Sequence, residues 1–211
     1  MSIRLFSLGG FVLIPLFLFS AIAIALIVER LYFWWRIQKY QIPVIREFLL
    51  LYPENPLAAI ASLEKNENLP MARIFLAALE LKEPTPEDLR LALESAAQAE
   101  ILLFKRFNTI FETIIAVAPL LGLLGTILGL IEAFANLKLG DVGGTNPSQV
   151  SFGISDALIT TAVGLIVAIF TLLFANYFRG LYRQQLSLIQ RYGGQFELFY
   201  RHFYHNKNKN L

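Results

Sequence analysis

Apolar and polar residues are segregated along this chain into long blocks rather than short alternations. Three blocks carry no charge at all: Leu5 to Val28, Thr113 to Ile131 and Ala157 to Phe178. The shortest holds 19 residues, bounded by Glu112 and Glu132. About 20 apolar residues cross the hydrocarbon core of a bilayer as a helix, so each block predicts one span. The fold class that follows is all-α, with three transmembrane helices whose ends extend into the cytoplasm. Residues 1–28 form an outward N-terminus and first span, and 29–112 a cytoplasmic helical region. The second span is 113–131, the outward loop 132–156, the third span 157–178, and the cytoplasmic C-terminal helix and tail 179–211. Ala21-Ile22-Ala23 mimics a signal-peptide cleavage site. The apolar run continues past it to Val28, however, and Tyr32-Phe33-Trp34-Trp35-Arg36 then marks a membrane interface, so a retained helix is expected.

Local signals divide the polar region. An amphipathic stretch runs from Pro70 to Leu81 and stops at Pro84. Thr85-Pro86-Glu87-Asp88 is a helix start, with Thr85 as N-cap, proline in the first turn and acids behind it. Apolar residues then recur from Leu89 to Phe107, and nothing breaks the pattern before Pro119. One helix is expected from Pro86 to about Phe134, with a kink invited at Pro119. Gly140 to Ser148 reads as a flexible outward loop. The third helix is expected to continue through Tyr182 and Leu188 to Gly193-Gly194, with Asn206 to Leu211 disordered.

Composition sharpens the class. The chain has 211 residues, of which 56% are apolar, and its mean hydropathy is +0.56. That is too oily for an ordinary soluble domain. A net charge of +2 without a basic cluster gives no indication of nucleic acid, and the lack of cysteine removes thiol catalysis, disulfides and thiolate metal sites. Residues 29–112 carry ten of the 18 Lys and Arg and the tail after Phe178 six more, whereas 132–156 holds only Lys138. By the positive-inside rule the N-terminus and the 132–156 loop face outward, and the long region and the tail are cytoplasmic.

Polar and small residues inside the spans are the candidates for function. Gly122, Thr126 and Gly129 share one face of the second span, with Gly125 at its border and Ala118 one turn before. Such a stripe suits close helix contact or a narrow polar path, and is expected to hold an assembly together. In the third span Ala157, Thr161, Gly164 and Ala168 align, while Thr160 aligns with Asp156. Either threonine hydroxyl can simply bond the carbonyl one turn earlier. Asp156 stands at the outer mouth of the span, where it either caps the helix N-terminus or takes part in ion movement. His202 and His205 lack a third metal ligand nearby, and no phosphate-binding loop, zinc motif or nucleophile–base pair points to an enzyme.

Three segments carry a resemblance. Ala118-Pro119-Leu120-Leu121-Gly122-Leu123-Leu124-Gly125-Thr126, with Gly129 and Glu132-Ala133-Phe134 behind it, resembles the second membrane helix of the ExbB/TolQ/MotA family of proton-channel subunits, and most closely its ExbB branch. Gly153-Ile154-Ser155-Asp156-Ala157-Leu158-Ile159-Thr160-Thr161-Ala162-Val163-Gly164-Leu165 resembles that family's third helix. Gly9-Gly10, Pro15 and Glu29-Arg30-Leu31 add a weaker match around the first span. The resemblance implies a proton path through Thr126, Asp156, where the family usually has glutamate, and Thr161, with Thr160 secondary. It implies protons as the coupling ion and no cofactor. It further implies a homopentamer in the bacterial inner membrane around an ExbD/TolR-like single-span partner, passing motion to a TonB-like protein. A TolQ-like envelope-maintenance subunit or a motility motor subunit is the alternative within the family. A non-conducting structural scaffold is the alternative outside it.

Overall fold

The computed structural model describes residues 11–82, 84–135 and 147–209, which form helices with no strand among them. In chain order these are α1 (Leu13–Leu51), α2 (Pro56–Glu64), α3 (Pro70–Leu79), α4 (Pro86–Phe104), α5 (Asn108–Ala135) and α6 (Pro147–Lys209). Three helical stretches are apolar enough over 18 residues to cross a membrane: Leu13–Leu51, Pro86–Ala135 and Gly153–His205. The protein is therefore all-α, with three helices of membrane-spanning length and composition.

The short helices begin where local chemistry starts them. Pro56, Pro70 and Pro86 each open a helix, at a position whose amide would have had no partner. The Asn55 side chain accepts the Ala58 amide at 3.1 Å. Thr85 and Asp88 close a reciprocal capping box: the Thr85 hydroxyl accepts the Asp88 amide at 3.2 Å, and the Asp88 carboxylate accepts the Thr85 amide at 3.0 Å. The Thr85 hydroxyl, and then its amide, hold the Asp88 carboxyl below the usual aspartate range.

Several boundaries differ from those expected. The single helix anticipated from Pro86 to Phe134 is interrupted: α4 ends at Phe104 and α5 starts at Asn108. The Arg106 amide bonds back to the Leu103 carbonyl at 3.3 Å, and Phe107 adopts a left-handed φ of 68°. Phe107 is not a residue type that favours this conformation, and Asn108, which is, stands one position later as the first residue of α5; long-range contacts converge on the break. Arg30, 73 residues away and only 3% exposed, donates a further hydrogen bond to the same Leu103 carbonyl at 3.1 Å, using its second lone pair. At the same place Phe104 is buried against Trp34, with ring centroids 5.7 Å apart. α5 itself runs unbroken through Pro119.

α6 starts ten residues before the expected third span and continues past Gly193-Gly194 to Lys209. The tail segment Asn206–Lys209, expected to be disordered, is thus helical. Asp156 lies well inside α6, so it is not the N-terminal cap that its position in the sequence allowed. Most of the outward loop expected at Gly140–Ser148 lies outside the described residues, and Pro147 and Ser148 already belong to α6.

The chain divides into two compact units, one from Met1–Glu29 and Phe107–Tyr177 and one from Arg30–Arg106 and Phe178–Leu211. In the first, Leu16 and Ala23 of α1 pack with Ile114 and Ala118 of α5 and Val167 and Ala168 of α6, joined by Leu13, Phe19, Ile22 and Val163. The opposite side of α1 exposes Phe17, Leu18, Ile24 and Val28. In the second unit, Phe48 of α1, Phe75 of α3 and Phe196 of α6 form a buried triangle with centroids 5.2 to 5.3 Å apart. Burying each ring is worth roughly 1.5–3 kcal/mol, which ties the three helices together. Arg73 of α3 grips Glu100 of α4 through two bonds of 2.6 Å.

Candidate functional site

The site grows from the small residues that let α5 and α6 touch backbone to backbone. A β-carbon on Gly122 would come within 2.9 Å of the Thr161 α-carbon, and one on Gly164 within 2.6 Å of the Ala118 carbonyl oxygen. The same would hold for Gly125 against the Thr160 hydroxyl at 2.5 Å, and for Gly129 against the Ala157 β-carbon at 2.8 Å. Real side chains do not approach this closely, so a larger residue at any of these positions forces the helices apart. Ala118, Gly122, Gly125 and Gly129 on α5 therefore meet Gly164, Thr161, Thr160 and Ala157 on α6 in reverse chain order. Ala168 joins them through the buried cluster it shares with Ala118. These contacts lie within one chain. The glycine faces expected to hold copies together are occupied by the chain's own α6.

Close approach brings three hydroxyls to one turn of α5. Thr161 donates to the Gly122 carbonyl at 2.8 Å, and its oxygen lies 3.3 Å from the Thr126 hydroxyl oxygen. Thr126 donates to the Leu123 carbonyl at 2.6 Å. Thr160 is 2% exposed, and its hydroxyl is engaged by the Ala157 carbonyl at 2.7 Å and the Gly122 carbonyl at 3.3 Å. The two candidate threonines thus differ in setting. Thr160 fills the notch opposite Gly125 and is locked, whereas Thr161 is partly open and faces the other helix's hydroxyl.

A hydroxyl has one proton to give and two lone pairs to receive. Both Thr126 and Thr161 now spend that proton on carbonyls. Rotation of either O–H would join the two oxygens directly, so the pair has alternative hydrogen-bond arrangements at nearly fixed geometry. Asp156 does not join this cluster. It is half-buried on α6, without a hydrogen bond or ion pair among the described residues. Thr161 is five positions further along, about 7.5 Å on the helix axis, and the two point in directions that diverge by about 140°.

Gly153 and Ala133 lie within the two motifs, whereas Thr171 and Ala175 lie beyond them. Gly153 faces Ala133, where an added β-carbon would lie 3.0 Å from that residue's own. Thr171 is fully buried and bonds the Val167 carbonyl at 2.7 Å. Ala175 is buried as well. The signal was a longer stripe than the one read: Gly153, Ala157, Gly164, Ala168, Thr171 and Ala175 all recur at helical spacing.

Comparison with known proteins gives a consistent result. A model of the MotA/TolQ/ExbB proton channel family matches residues 66–191. A protein of Synechocystis sp. named as a biopolymer transport protein, ExbB-like 3, is 58% identical over 196 residues, covering 93% of either chain. A second from the same organism, ExbB-like 1, is 40% identical over 202 residues, covering 95% of this chain and 80% of that one. The biopolymer transport protein ExbB homolog of Methanothermobacter thermautotrophicus is 31% identical over 134 residues, 64% of this chain and 46% of that one.

Proposed function

Because this chain belongs to the MotA/TolQ/ExbB proton channel family, we propose that it is the ExbB-like subunit of an inner-membrane motor that draws on the proton gradient to energise TonB-dependent transport across the outer membrane. The observation that carries this is the contact between the Thr126 and Thr161 hydroxyls, across two helices whose spans contain no charged residue. Paired hydroxyls that can exchange their hydrogen-bond partners are able to hand on a proton. They cannot load or release one at physiological pH, because a hydroxyl does not titrate there.

A titratable group must therefore enter from elsewhere. Asp156 supplies one on α6, outside the hydroxyl cluster, and an ExbD/TolR-like single-span protein supplies another, in the manner the family resemblance implies. Several copies of this chain, five by that resemblance, surround the partner. The Lys/Arg distribution supports an outward N-terminus and a cytoplasmic C-terminus. The names of the Synechocystis relatives favour an ExbB-like role over a TolQ-like or motility role.

Proton flux into vesicles tests the proposal. Vesicles with this protein alone should hold a pH gradient nearly as well as empty ones, and should conduct once the ExbD-like subunit is added. Rapid, Asp156-dependent flux through the protein alone would overturn the shared path. Absence of flux with the partner present would favour a scaffold.

A further inference from the structure

The two adjacent tryptophans of α1 point in opposite directions, and the outward one sits in a cationic aromatic face. Trp34 is 2% exposed and packs on Phe104, whereas Trp35 is 53% exposed. Tyr32, Trp35, Arg36, Lys39 and Tyr40 recur at spacings of three and four, so they occupy one side of the helix. Tyr32 and Trp35 stack with centroids 6.3 Å apart, and Tyr40 meets the edge of Trp35 at 6.3 Å. The Lys39 ammonium lies 4.8 Å from the Trp35 ring centre and 5.2 Å from that of Tyr40.

Charge on this face is uncompensated. Neither Arg36 nor Lys39 makes an ion pair among the described residues. The nearest acids along the helix, Glu29 and Glu47, are seven residues before Arg36 and eight after Lys39, roughly 10–12 Å away along the axis. The preceding residues exposed on α1, Ile24, Val28 and Leu31, are apolar. Apart from the half-buried Glu29, the face is apolar until Leu31 and then aromatic and cationic, and such a face meets a bilayer at headgroup depth.

We propose that Tyr32, Trp35, Arg36, Lys39 and Tyr40 form a docking face for anionic phospholipid headgroups, in the leaflet at the Lys/Arg-rich end of the first span. The rings take the interfacial depth where indole and phenol are best solvated, and the two cations receive the phosphate and the extra negative charge of the lipid. Contact with the faces of Trp35 and Tyr40 holds the Lys39 ammonium over the rings instead of extended into water, so its position is set before a lipid arrives. This inference rests on α1 spanning the membrane, not on proton conduction.

Brominated lipids test it in full-length protein reconstituted into vesicles. The chain has only two tryptophans, so subtracting the fluorescence of a Trp35→Phe variant isolates Trp35. At equal mole fraction in phosphatidylcholine vesicles, brominated phosphatidylglycerol should quench Trp35 about threefold more than brominated phosphatidylcholine, and raised salt should erase the surplus. Arg36→Gln with Lys39→Gln should remove the preference while quenching by phosphatidylcholine persists. Lys39→Arg, which keeps the charge, should retain it. Equal quenching by the two lipids in the unmodified protein would overturn the headgroup preference. No quenching of Trp35 by either lipid would show that another copy or the partner covers this face.

Discussion

The Thr161 hydroxyl stands 3.3 Å from the Thr126 hydroxyl on the neighbouring helix, while donating to the Gly122 carbonyl at 2.8 Å. That arrangement needs Gly122, because any side chain there would meet the Thr161 backbone. The proposed proton relay and the packing of the helices share the same few atoms. A test of either must keep volume constant.

Thr161→Val and Thr126→Val keep volume and remove one hydroxyl each. Loss of the Thr161 bond should cost about 1 kcal/mol of stability. Proton flux with the partner present should fall about tenfold, equivalent to roughly 1.4 kcal/mol in the barrier. Thr160→Val should cost comparable stability and leave flux within about twofold, because its hydroxyl is buried against the Ala157 and Gly122 carbonyls and, among the described residues, has no hydroxyl partner on α5 such as Thr161 has in Thr126. Normal flux in both Thr161→Val and Thr126→Val would remove the hydroxyl relay.

Asp156→Asn preserves shape and removes the titratable group. Since Asp156 does not cap α6, the substitution should leave the thermal unfolding midpoint in detergent within a degree or two and reduce proton-driven uptake strongly. A large fall in the midpoint would show that the carboxylate serves the fold instead.

Glycines on α6 should divide into two groups. Gly164→Ala places a methyl group 2.6 Å from a backbone oxygen that cannot move aside, so it should destabilise by about 3 kcal/mol, the upper end of typical overpacking costs. Gly194 has no heavy atom within 4 Å of an added β-carbon. Gly194→Ala should stabilise by roughly 0.5–1 kcal/mol through helix propensity alone. Equal effects in thermal melts would contradict the contact described for α5 and α6.

Arg73 and Glu100 test the second unit. The Glu100 side chain is 10% exposed and that of Arg73 32%. Breaking a fully buried pair costs about 3–5 kcal/mol, so with Arg73 partly hydrated Glu100→Ala should cost nearer 2–3. Proteolysis within residues 56–104 should accelerate accordingly, and an unchanged cleavage rate would show that the pair contributes little.

The capping box gives a pH dependence of known sign. Asp88 has its carboxyl lowered in the folded state by Thr85, so its contribution is present at neutral pH, above the unfolded pKa, and is lost as pH falls through the lowered folded value. Amide protection factors at the start of α4, referred to the unstructured rate at each pH, should therefore fall in acid. Thr85→Ala should cost about 1 kcal/mol at neutral pH and flatten that acid response. An acid response identical to that of the unmodified protein would assign it to other carboxyls.

What the sequence determined by itself was local or periodic. Uncharged length specified three membrane-spanning segments, proline and Thr85 specified helix starts, and glycine spacing specified where backbones approach, because each depends on residues within a turn or two. Only the tertiary structure decided what depends on a distant partner. At the turn over Lys105–Phe107, Arg30 reaches the Leu103 carbonyl from 73 residues away, a contact that no residue near the turn announces. Thr160 and Thr161 differ by one position, and only the placement of Gly125 and Gly122 on α5 makes one a locked wedge and the other a partner for Thr126. Trp34 and Trp35 are chemically identical, yet Phe104 draws one into the core and leaves the other to the surface. Hydropathy and spacing identify a face; the residues packed against it decide its use.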